Sequence, residues 1–117
     1  MPLALTFWNG SHRHITKVDL TNFTQVRLLV NKQGTAGDAA SKLILRYRTA
    51  FSVTVADYSD IGTSEVSLPV NTTNNVLVTN WINLAVAAKA DVFVALVGSG
   101  GNRALDPIFG VIMAQFK

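Results

Sequence analysis

Two histidines, His12 and His14, stand two positions apart. On a strand that spacing puts both on one face, where they could share a metal ion. Two ligands do not make a site, and no cysteine or nearby carboxylate completes it. The expectation is therefore a polar strand face or subunit contact, with no metal and no cofactor. Asp57, Asp60 and Glu65 form the one local acidic group. Two carboxylates can flank a glycosidic bond, but Asp57 and Asp60 fall in one polar stretch with Tyr58, Ser59 and Gly62, which reads as an exposed loop. The same stretch lacks the ligand periodicity of a calcium loop. No Gly-x-Ser-x-Gly elbow is present. Gly98-Ser99-Gly100-Gly101-Asn102 has the look of a phosphate cradle, yet a strand follows it where such a cradle needs a helix and a lysine. No catalytic residue is assigned, and the chain is expected not to be an enzyme.

Aromatic side chains offer binding rather than reaction. Trp8, Tyr58 and Trp81 could stack on a sugar. Arg46-Tyr47-Arg48 is the one concentration of basic charge along the chain. A strand would put both arginines on one face and Tyr47 on the other, the wrong geometry for an arginine-flanked stacking platform. Tyr47 is expected inward and the arginines outward. The other basic residues are scattered in sequence, without the clustered stripe usual in nucleic-acid binders. No nucleic-acid partner is expected from this pattern.

The elements that must position these residues are all short and apolar. The chain has 117 residues, net charge +3, no cysteine, 49% hydrophobic residues and 15% charged ones. The length suits one domain. Absence of cysteine excludes disulfide scaffolds and thiol chemistry. The charged fraction is well below the roughly 25% usual for a soluble domain, which suggests surface covered by copies of the chain or by a partner. No basic-then-apolar leader and no run of about 18 apolar residues is seen, so synthesis in a cytoplasm and no membrane partner are expected.

Asp91–Ser99 and Ile108–Phe116 dominate the pattern. The first carries Val92 to Val97 without a polar break, as a strand covered on both faces would. The pair is expected to lie side by side, joined by the glycine-rich crossing. So short a chain could then borrow a second sheet from a neighbouring subunit. Thr24–Asn31 alternates, with Val26, Leu28 and Val30 on one face. Lys42–Thr49 alternates too, with Leu43, Leu45 and Tyr47 together. These two are expected to pair as a long hairpin. Pro2–Phe7 and His12–Val18 flank an Asn-Gly turn and read as a short hairpin or arm over residues 1–17. Residues 18–117 form the remaining domain. Phe51–Val55, Glu65–Val70 and Val76–Thr79 add short strands. Trp81–Ala90 is alanine-rich but uncapped and too short for an independent helix, so it reads as a strand end and a loop. About eight short strands without a helix imply an all-β, antiparallel sandwich.

With the strands placed, three separated motifs resemble one family. Val18-Asp19-Leu20-Thr21-Asn22-Phe23-Thr24-Gln25-Val26-Arg27-Leu28 looks like the entry to a jelly-roll strand. Trp81-Ile82-Asn83-Leu84 with Ala87-Ala88-Lys89-Ala90-Asp91-Val92 looks like the approach to its penultimate strand. Val97-Gly98-Ser99-Gly100-Gly101 and Ala104-Leu105-Asp106-Pro107-Ile108-Phe109-Gly110 look like its close. Together, over Val18 to Lys117, they resemble the jelly-roll-like domain of tailed-bacteriophage virion proteins.

That resemblance implies a β-sandwich of jelly-roll type and structural work, with no catalytic residues to carry over. The expected function is a capsid decoration protein in the virion, binding the assembled shell as a homo-oligomer such as a trimer. Its partners would be itself and the major capsid protein or another virion protein. Trp8, His12, Arg13 and His14 near the N-terminus, and Arg46 and Arg48, are the expected contact residues. The alternative is a receptor- or glycan-binding module of a fibre or tail, with Trp8, Tyr58 and Trp81 stacking on the glycan.

Overall fold

The computed structural model describes residues 3–8, 13–33, 42–61, 66–69, 76–86, 89–99 and 108–117. Among them are ten strands: β1 (Leu3–Trp8), β2 (Arg13–Val18), β3 (Gln25–Gln33), β4 (Lys42–Arg48), β5 (Ser59–Asp60), β6 (Val66–Pro69), β7 (Val76–Val78), β8 (Ile82–Asn83), β9 (Val92–Ser99) and β10 (Ile108–Phe116). All pairings are antiparallel, and two sheets pack as a sandwich. The first sheet runs β1-β10-β3-β7, with β8 also on β3. The second runs β2-β9-β4-β5, with β6 also on β4.

β7 pairs with Leu29–Asn31 of β3, and β8 pairs with Gln25–Val26 of the same strand. β5 and β6 likewise share β4. Each sheet therefore has four strand positions, its last one broken in two. The expected count of about eight strands corresponds to these positions.

Alternation decides which side chains are enclosed. Val26, Leu28 and Val30 of β3, Leu43 and Leu45 of β4, Val92, Val94 and Leu96 of β9, and Ile112, Ala114 and Phe116 of β10 join one buried cluster. Tyr47 packs against that cluster, as expected for its face of β4. Lys32, on the inward row of β3, is also buried and engaged.

Four sequence expectations about pairing are corrected. β9 and β10 do not pair with each other; each is an interior strand of a different sheet. β3 and β4 likewise lie in opposite sheets rather than in one hairpin. β1 and β2 are not a hairpin or a separate arm: β1 pairs with β10, and β2 pairs with β9. The chain supplies both sheets and borrows neither. One physical reason covers all four. Each of these strands has an apolar face, and placing sequence neighbours in facing sheets lets those faces cover one another. A fifth correction is local. Phe51–Val55 forms no strand; a 3-10 turn occupies Val55–Asp57, and Phe51 and Val53 are exposed.

One end of the sandwich is closed by backbone bonds between distant segments. The amides of Thr24 and Gln25 donate to the carbonyl of Lys117 at 2.8 and 2.9 Å, and the Lys117 amide returns one to Gln25 at 3.0 Å. Leu20, fully buried, donates its amide to the Lys89 carbonyl at 2.7 Å, while Lys89 Nζ donates to the Phe23 carbonyl at 2.9 Å. Phe23 then meets Phe116, ring centroids 6.3 Å apart.

The register gives a direct test. Leu28→Ala should cost about 2–5 kcal/mol, as a buried leucine deletion does. Leu29→Ala, one residue along and on the outer face, should cost much less. Urea unfolding of both variants checks this, and equal losses would contradict the assigned faces.

Candidate functional site

The described surface offers two broad sheet faces. On the outer face of the first sheet the register lines up Thr6, Met113, Leu29 and Val78 in one row. Val111, Asn31 and Val76 form the next. Leu29, Val76, Val111 and Met113 line a shallow apolar groove with Val30 and Asn31. Val76 is 71% exposed and Val78 47% exposed. This is apolar surface on the last strand position of a sheet, where water must otherwise cover it.

The same face turns polar towards its other end. Arg27 Nε donates to Gln115 Oε1 at 2.8 Å, and Gln25 Nε2 donates to Asn83 Oδ1 at 3.2 Å. Trp81 is half-buried, with the cationic groups of Arg27 and Lys117 each 4.4 Å from its ring centroid. Its π-system is thus engaged by two side chains of the chain itself.

The outer face of the second sheet is different. Its rows are Arg13–Val97–Ile44, Ile15–Ala95–Arg46–Asp60 and Lys17–Phe93–Arg48. Ile44 and Ala95 are buried although they lie outside the core cluster. Lys42 and Arg46 flank Ile44 on β4 and are themselves half-buried. Lys17 Nζ lies 5.9 Å from the centre of the Phe93 ring and pairs with Asp91 at 3.2 Å. Phe51, 59% exposed, meets Phe93 edge-on at 5.6 Å between centroids. The Arg48 guanidinium donates to the carbonyls of Ala50 and Phe51, at 3.4 and 3.3 Å.

The residues singled out in the sequence are therefore dispersed. Trp8 lies on β1 opposite Val111, in the first sheet. Arg13 and His14 lie on β2 opposite Val97 and Leu96, in the second. His12 is outside the described residues. Arg46 and Arg48 share the outer face of β4, as alternation predicts. Tyr58 is buried rather than displayed on an exposed loop; its hydroxyl donates to the Ser52 carbonyl at 2.8 Å and accepts the Ser52 amide at 3.3 Å. That enclosure leaves its ring no face for a sugar. Trp8, Tyr58 and Trp81 do not form one platform: Trp8 and Trp81 associate with the first sheet, and Tyr58 precedes β5 of the second.

Of the acidic group, Glu65 lies outside the described residues. Asp57 accepts the Ser52 hydroxyl at 2.6 Å, and Ser52 Oγ in turn accepts the Thr54 amide. Asp60 is paired by register with Arg46. Among the described residues, no group of three histidine, aspartate or glutamate side chains could hold a metal ion. Phe51 and Phe93 make a ring contact on the outer face of the second sheet that no sequence signal marks. Phe93 falls within an apolar run, and Phe51 within a segment whose alternation reads as a strand.

No protein-family model matches the chain, and no curated protein matches it in sequence.

Asp19 shows one electrostatic perturbation. Its Oδ1 accepts the Thr21 hydroxyl at 2.6 Å and the Thr21 amide at 2.9 Å, and these bonds hold its carboxyl below the ordinary value of 3.8. A depressed acid contributes stability that is present above its unfolded pKa and lost as pH falls through the folded one. The turn into β3 should therefore loosen only in acid, below about pH 4. Thr21→Val removes the hydroxyl donor but keeps the amide, so the Asp19 carboxyl should titrate closer to 3.8. An NMR pH titration of that carboxyl checks it; an unchanged value would show that the hydroxyl does not matter.

Proposed function

We propose that this chain is a virion protein of a tailed phage, a capsid decoration protein that acts by binding rather than by chemistry. The observation that carries the binding role is the apolar outer face of the first sheet, with Leu29, Val76, Val78, Val111 and Met113 in adjacent rows. At about 25 cal/mol per Å² of apolar area, covering this face with a neighbouring copy stabilises an oligomer. Repetition over a shell then multiplies small contacts into resistance to opening. The low charged fraction of 15% fits a chain that spends its working life covered.

The strand order supports the jelly-roll part of the reading. First pairs with last, β1 with β10; second with second-last, β2 with β9; β3 takes β7 and β8; β4 takes β5 and β6. That nesting is what results when one long antiparallel hairpin is rolled into two sheets, and it favours a jelly-roll reading of the sandwich. Such a fold hosts many roles, so the function rests on the surface and on the resemblance of the three sequence motifs. The glycan-binding alternative draws less support, since Tyr58 is enclosed and Trp81 is engaged by Arg27 and Lys117.

Sedimentation tests the proposal. The wild-type chain should sediment as an oligomer and should bind emptied shells of its phage but not free capsid subunits. The double variant Val78→Lys with Met113→Lys should fall to monomer without loss of its melting transition, because both side chains are on the outer face. A monomeric wild type that ignores shells and binds host polysaccharide would overturn the reading.

A further inference from the structure

Four large hydrophobic side chains are exposed among the described residues: Phe51, Val53, Val76 and Val78. They fall into two patches. Val76 lines the shallow groove on the outer face of the first sheet, and Val78 stands beside Leu29 at its margin. Phe51 and Val53 lie in the segment between β4 and the 3-10 turn, at the outer face of the second sheet. Two sheets stacked about 10 Å apart separate the patches, so one chain cannot cover either with the other. A second copy can.

The segment that carries Phe51 is fixed by side chains. The Arg48 guanidinium donates to the carbonyls of Ala50 and Phe51. The buried Tyr58 hydroxyl binds both the amide and the carbonyl of Ser52, and Ser52 Oγ accepts the Thr54 amide. The Asp57 amide donates to the Thr54 carbonyl at 3.0 Å. Phe93 supports the Phe51 ring edge-on from the sheet. Even so, Phe51 stays 59% exposed and Val53 60% exposed. A loop fixed in advance loses little conformational entropy when it docks, and a well-packed aromatic ring is a common anchor of protein contacts.

The groove suits that anchor. It holds about 210 Å³ between Leu29, Val30, Asn31, Val76, Val111 and Met113. An apolar cavity of about 150 Å³ takes a benzene ring. Met113 adds a thioether, which packs favourably at an aromatic edge. The area argues the same way. Two copies of this face laid flat on each other would meet through Leu29, Val111 and Met113, which are half-buried already. That leaves little to bury against the roughly 800 Å² per partner of a standard interface. An inserted ring reaches apolar surface that a flat contact does not, and it brings all four exposed side chains into one interface.

We propose that Phe51 of one copy inserts into the Leu29–Val76–Val111–Met113 groove of the next, so that copies join head to tail. The proposal rests on the self-association reading above and names what covers the apolar face. Unlike patches make a heterologous contact, and a ring closes such an assembly without leaving a patch exposed.

Sedimentation equilibrium of the full chain tests it. Phe51→Ala should weaken self-association about 30-fold or more, although Phe51 is on the far side of the sandwich from the groove. Val78→Lys with Met113→Lys should do the same. Mixed in equal amounts, the two variants should form a 1:1 dimer and nothing larger, because one keeps only the groove and the other only the ring. Melting curves check that each variant is folded, and the mixed dimer shows it directly. Phe51→Ala that assembles as wild type overturns the inserted ring and leaves the self-association reading standing. A mixture that stays monomeric overturns the head-to-tail geometry. A monomeric wild type overturns the self-association reading, and this contact with it.

Discussion

The inward faces of β9 and β10 belong to one buried cluster, and the rest of the chain depends on keeping that contact dry. Val92, Val94 and Leu96 project from an interior strand of one sheet; Ile112, Ala114 and Phe116 project from an interior strand of the other. Neither strand can be exposed without uncovering the other. β1 and β3 flank β10, β2 and β4 flank β9, and each flanking strand adds residues to the same cluster. The corner built from Leu20, Phe23, Lys89 and Lys117 seals one end of it, using backbone bonds between segments far apart in sequence.

That constraint also explains the surface. Once the inward rows are spent on the core, what remains on each sheet is a single outward row set whose character is inherited from alternate residues. On the first sheet the leftovers are Leu29, Val111, Met113, Val76 and Val78, an apolar face. On the second they are Lys17, Phe93 and Arg48 in one row with Ile15, Ala95 and Arg46 in the next, a mixed one. The two faces point away from each other across the sandwich. The carboxylate of Asp57 is taken up by a serine hydroxyl, and the register sets Asp60 opposite Arg46.

Local pattern was enough for most elements because alternation is a short-range signal. The strands at Gln25–Gln33, Lys42–Arg48, Val92–Ser99 and Ile108–Phe116, and the inward placement of Leu28, Leu45, Tyr47 and Val94, all follow from period two. Phe51–Val55 shows where it fails. Phe51, Val53 and Val55 alternate like a strand, but Ser52 binds Tyr58, Asp57 and Thr54, and those bonds draw the segment into a turn. Side-chain bonds of serine and aspartate compete with ladder pairing in this way, and apolar spacing carries no trace of them.

The sequence by itself determined that the chain is an all-β sandwich, which faces of its long strands are apolar, and that Arg46 and Arg48 point opposite to Tyr47. These are properties of residues a few positions apart. Only the tertiary structure decided which strands meet. It separated β3 from β4 and β9 from β10, set Tyr58 inside, and brought Lys17 from β2 and Arg48 from β4 to either side of Phe93. Pairing partners are chosen by how apolar faces cover one another across the whole chain, and no local pattern records that choice.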